Sequence, residues 1–247
     1  MTENKILNKI RGLIAKADSV AGTPEADTLR AKAFELLAKY GIDEAMATRT
    51  GTVEEEAGDS LKKVTFNLPE PFAEERMLLV WGIARSLHCA GVRKSDTRME
   101  IWGVGRHISR VRFLYNLLLP QMMQGASATR SENPFAIGVD THTGVSSVNG
   151  HRAAWMLGFG DAVSIRIKES EDNAAGLYDK NTGGNAAALM MLSDCERAEA
   201  AMRKAYPNMG AGKARSRGGD GYNAGSDAGQ RADVGNTRVA AGRVSIG

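Results

Sequence analysis

The sequence predicts an α+β protein, mostly α, with an N-terminal αα-hairpin, a body in which helices flank a small antiparallel sheet, and a Gly/Ala/Arg-rich C-terminal segment. Three observations carry this. Apolar residues recur at spacings of three and four through both halves of the first forty-odd residues. Two short stretches, 63–68 and 88–104, alternate or read as extended runs. Further helical stripes then return, broken by Gly/Asn-rich segments. The 247 residues, 43% apolar and 25% charged, suffice to bury a core.

Ile6, Leu7, Ile10, Leu13, Ile14 and Ala17 share one helical stripe. Ser19 to Thr23 breaks it, and Thr23-Pro24-Glu25 is a cap, a first-turn proline and a first-turn acid. Ala26, Leu29, Ala33, Leu36, Leu37 and Tyr40 form the second stripe, closed by Gly41. Residues 46–60 are acidic and aperiodic, a linker. Lys63 to Leu68 alternates as a strand, ended by Pro69 and Pro71. Phe72 to Leu87 reads as an apolar helix. His88–Lys94 and Thr97–Val104 make a hairpin about Ser95-Asp96. A helix opens at Gly105 or Arg106, and Pro120 is expected to kink or end it. Ser131–Gly150 is a long loop. Trp155, Phe159, Val163 and Ile167 define a helix over His151–Lys168, followed by a loop from Asn173 to Asn185 and a last long helix from Ala186 to Tyr206.

The partition that follows is 1–45, 61–206 and 207–247. The tail repeats small residues every four positions (Ala224-Gly225, Ala228-Gly229, Ala232-Asp233), which would let a short helix over 220–233 lie close against another backbone. A flexible linker is the alternative reading of the same composition.

Net charge is +3. Segment 210–247 holds six basic residues against three acidic, so the remainder is neutral. The body therefore presents no broad basic footprint. No run approaches the roughly 18 apolar residues of a membrane span, and the first residues lack a signal-peptide core. With Cys89 and Cys195 alone, a disulfide framework is excluded. A cytoplasmic, reducing location is expected, with no membrane partner.

Lys9-Ile10-Arg11-Gly12-Leu13-Ile14-Ala15-Lys16-Ala17, with Ala31-Lys32-Ala33 and Tyr40-Gly41-Ile42-Asp43, resembles the signature of the domain of unknown function DUF2786. Gly103-Val104-Gly105-Arg106 and the Trp155–Arg166 helix with Gly158-Phe159 resemble its usual companion, DUF7168, and the 221–235 run resembles the ending of many actinobacterial and phage members. The resemblance implies a bacterial or phage protein and supplies no activity, cofactor or catalytic residue.

The chemistry-bearing residues are sparse. His88, His107, His142 and His151 show no metal-ligand spacing, and no C-x-x-C occurs, so neither metal nor cofactor is expected. Cys89 and Cys195 read as small hydrophobes, no activated-serine motif is present, and His151 and Asp161 do not form a dyad by spacing. No catalytic residue is assigned. Gly103-Val104-Gly105-Arg106-His107 is the sharpest local feature: a glycine turn feeding a helix start offers backbone N–H groups to an anion, with Arg106 and Arg110 one turn apart. Its plainer reading is a strand-to-helix turn whose arginines face water.

The leading functional expectation is an accessory protein that binds nucleic acid weakly and salt-dependently, using Arg106, His107, Arg110 and the tail residues Arg215, Arg217 and Arg231. A protein-interaction module docking through the hairpin and the small-residue stripe stands beside it. So does an enzyme with 131–150 as a lid. Oligomeric state is not determined by the sequence.

Overall fold

The computed structural model describes residues 60–129, 148–210 and 220–232, together with individual positions between 9 and 39. Among the described residues it is mostly helical, with five helices and one three-stranded antiparallel sheet. Among the described residues, no helix is long and apolar enough to cross a membrane.

Strands β1 (Leu61–Asn67), β2 (Ala90–Ser95) and β3 (Arg98–Val104) order as β1-β3-β2, so the β2–β3 hairpin sits beside the earlier strand. The register pairs Val64 with Ile101 and Phe66 with Met99. These four buried side chains share one face, as the period-2 pleat requires. That face packs on helix α1 (Ala73–Ser86) and helix α2 (Gly105–Ala128). The opposite face, carrying Ala90, Val92 and Trp102, receives Ala198, Met202 and Tyr206 from helix α4 (Ala186–Ala205) and the residue after it.

Helix α3 (Val148–Thr182) is about 52 Å long at 1.5 Å per residue. Trp155, Phe159, Val163 and Ile167 are all buried in the main core, as their four-residue spacing predicts. The expected loop from Asn173 to Asn185 is helical as far as Thr182. Tertiary packing explains this: Ala174, Ala175 and Tyr178 form a small second core with Ala187, Met190 and Met191 of α4. Asp179 then accepts hydrogen bonds from the backbone N–H groups of Ala187 (2.8 Å) and Ala188 (3.2 Å), capping α4 from the neighbouring helix.

Pro120 lies inside α2, so of the two expected outcomes, a kink or an end, the helix does not end there. A proline removes the hydrogen bond to the carbonyl four residues earlier. Here that residue is Asn116, and both Asn116 and Pro120 lie on the exposed face, so water can serve the released carbonyl.

Helix α5 (Asp220–Arg231) forms within the Gly-rich tail and docks on α3. A Cβ on Gly221 would lie 2.8 Å from the His151 carbonyl oxygen, one on Gly225 2.6 Å from the Trp155 carbonyl carbon, and one on Gly229 2.7 Å from the Phe159 carbonyl oxygen. Only glycine lets the two backbones approach this closely. Tyr222 donates to Asp161 at 3.0 Å, and Arg166 of α3 donates to the Gly229 and Ala232 carbonyls (2.7 and 2.8 Å), closing the C-terminal end of α5.

In the first forty residues the described positions on both predicted stripes are helical. Ala33 is fully buried within the same core as the body, with Leu13 and Leu36 packed against it, and Lys16 meets Glu25 at 3.5 Å. The predicted cap at Thr23 and the closing Gly41 lie outside the described residues.

Candidate functional site: a buried charge cluster and a basic-aromatic cleft

The glycine turn commits the Gly105 N–H to the Ser60 carbonyl at 3.1 Å, and the helix that follows it carries side chains into a buried charge cluster. In the first turns of α2, Arg106 donates through Nη2 to Asp194 of α4, and His107 Nε2 lies 3.0 Å from the same Oδ2. One turn further on, Arg110 Nη2 donates to Glu171 of α3. All five residues are buried, at 1–2% exposure. Arg197 reaches Asp194 Oδ1 from the surface side at 3.4 Å. His88, in the left-handed region at φ 58°, stands beside His107 with ring centroids 5.8 Å apart.

Environment sets the protonation states. Burial, with Arg106 and Arg110 nearby, outweighs the Asp194 hydrogen bond and lowers His107 to about 3. Its Nε2 therefore carries the proton toward Asp194 in a neutral ring. Burial and Arg110 lower His88 to about 4. Burial pushes Asp194 up, but the His107 hydrogen bond and the Arg106 charge bring it below the usual carboxylate range. For Glu171 burial raises the carboxyl against the pull of Arg110. Burial also raises the thiols of Cys89 and Cys195, which keeps both protonated and poor as nucleophiles. No group of three or more His, Cys, Asp or Glu among the described residues could hold a metal ion.

This cluster corrects the placement of three predicted residues. Arg106, His107 and Arg110 were expected to face a phosphate backbone; they point inward because Asp194 and Glu171 neutralise the two arginines, as burial of a charge demands. Of the tail residues, Arg231 ends α5 with an exposed side chain. Arg215 and Arg217 lie outside the described residues, as do His142 and the 131–147 stretch of the expected lid. His151 and Asp161 are held separately, the first by Thr129 at 3.2 Å and the second by Tyr222.

Exposed cationic groups gather elsewhere. A cleft of about 490 Å³ opens between the end of β2 and the segment after α4, lined by Arg93, Lys94, Tyr206, Pro207, Asn208 and neighbouring residues to Gly210. Lys94 Nζ sits 4.0 Å from the Tyr206 ring centroid, and Trp102 meets that ring edge-on at 6.4 Å. Lys63 lies 5.4 Å over Trp102. Tyr206 donates to Glu100 at 2.5 Å, which fixes the ring, while Arg93 pairs with Asp96 at 2.8 Å. The last turn of α4 adds Arg203 and Lys204. From Gly210 the sequence runs directly into Lys213, Arg215 and Arg217.

The sequence reading missed both arrangements. A signal for the first was present: Asp194 falls on the buried α4 stripe with Ala187, Met190, Met191, Ala198 and Met202, and Glu171 follows Phe159, Val163 and Ile167 at four-residue spacing. A carboxylate on an apolar stripe needs a buried cation. The cleft had no such signal, since Lys94 and Tyr206 are 112 positions apart.

Residues 5–44 match the family described as a protein of unknown function, DUF2786. No curated protein and no solved structure matches the chain. The DUF2786 segment covers the two N-terminal stripes and neither the charge cluster nor the cleft.

Proposed function

We propose that this DUF2786-containing chain binds nucleic acid weakly, with the contact surface at the Arg93–Lys94–Tyr206 cleft and the tail residues Arg215 and Arg217 that follow it in sequence. The observation that carries the reading is the cleft itself, where exposed cations and an aromatic ring line one concavity. That pairing supplies phosphate neutralisation and a surface for bases. The buried arginines of α2 take no part. In the same reading the body over 61–206 is the DUF7168 companion, and the protein is of bacterial or phage type and works in the cytoplasm.

Fluorescence anisotropy with a labelled oligonucleotide tests this. With about four phosphate contacts, affinity for a single strand should fall roughly fiftyfold between about 50 and 200 mM salt. Replacing Arg93 and Lys94 together by alanine should make that dependence shallower. Absence of any salt-sensitive binding at the lower salt removes the reading.

A protein-docking role draws on a different observation. Leu177 of α3 and Leu189 and Leu192 of α4 are each more than half exposed near the α3–α4 turn.

A further inference from the structure

We infer that the cleft takes a single strand with unpaired bases, one base stacking on the Tyr206 face that Lys94 now covers. The inference rests on the nucleic-acid reading above and goes further, to the form of the strand and the residue that selects it.

Tyr206 is built as a fixed platform. Its hydroxyl is tied to Glu100, its edge is met by Trp102, and Met202 and Val92 lie in the same apolar cluster. The Lys94 ammonium 4.0 Å above the ring is the movable neighbour. It belongs to an exposed residue on a flexible four-carbon stem, and the attraction of this solvated ammonium to the half-buried Tyr206 ring is weak beside base stacking. A base entering the cleft would displace the ammonium from the ring, and the ammonium would then meet the adjoining phosphate. One exchange thus gains a stack and a charge contact while losing a single cation–π contact. A duplex cannot make it, because its bases are already paired and stacked.

The test compares a thymidine strand of about 12 nucleotides, an abasic strand of the same length and a duplex of the same sequence, each titrated into the full chain at low salt. The thymidine strand should bind about tenfold tighter than the abasic strand and the duplex. Tyr206→Leu should erase that difference, whereas Tyr206→Phe, which keeps the ring without the hydroxyl, should retain it. Lys94→Ala should reduce the salt slope by about 0.7 while the preference for bases persists. Equal affinity for the thymidine and abasic strands overturns the inference and leaves the general nucleic-acid reading standing. If none of the three binds, both fall.

Discussion

Removing the Asp194 carboxylate should be the most damaging single change to the described fold. Asp194→Ala deletes the acceptor shared by Arg106 and His107, whose side chains are 1% and 2% exposed. The guanidinium is then left charged in the interior at the junction of α2 and α4. Breaking a buried ion pair from one side costs about 3–5 kcal/mol, because the surviving charge has lost water and partner together. At about 2–4 °C per kcal/mol for a chain of this size, the midpoint of thermal unfolding should drop by roughly 6–20 °C. Urea denaturation followed by far-UV circular dichroism and by tryptophan fluorescence would measure it, coincident transitions confirming one cooperative step. The double variant Arg106→Met with Asp194→Leu should recover most of the loss, since removing both charges abolishes the stranded one. A stability within about 1 kcal/mol of wild type for Asp194→Ala, or a double variant no better than the single, would refute the claim that this pair is a closed charge cluster.

Three further outcomes follow from the same geometry. Because His88 and His107 are held near 4 and 3 against an ordinary 6.5, the unfolded chain takes up protons that the folded one refuses. Stability is therefore complete above pH 6.5 and should drain as pH falls toward 4, with a slope approaching about 2.7 kcal/mol per pH unit for two protons. The raised Glu171 works in the opposite direction. His88→Gln should remove roughly half of that slope, and a urea midpoint unchanged between pH 7 and pH 5 would contradict the assignment. In α5, Gly225→Ala should destabilise by about 1–3 kcal/mol, because the new methyl meets the Trp155 backbone rather than a movable side-chain end. Hydrogen exchange of α5 amides should show the helix released. Gly176→Ala in α3, with nothing within 4 Å of its Cβ, should instead stabilise by about 0.5–1 kcal/mol; a loss there would count against α3 being helical at that point.

Helix positions were legible wherever one apolar stripe faced one core. The α1 boundaries and the β2–β3 hairpin emerge within two residues of the sequence reading, and the small-residue repeat of the tail becomes a helix packed against α3. Where the reading erred, a distant partner had changed the local rule. The polar stretch after Asn173 gains a helix from the Met190 and Met191 side chains of α4.

By itself the sequence determined the periodicities, the neutrality of the body and the concentration of net positive charge after residue 210, all of them properties of neighbours along the chain. Only the tertiary structure decided which charges reach water. Arg106 and Arg110 look like anion ligands in a one-dimensional reading, yet Asp194 and Glu171, 88 and 61 residues away, turn them inward. Lys94 and Tyr206 look like unrelated surface residues until the end of β2 and the end of α4 converge. The physical reason is common to both cases. The free energy of a charge depends on burial and on its nearest counter-charge, and folding assigns both across distances along the chain that no local pattern spans.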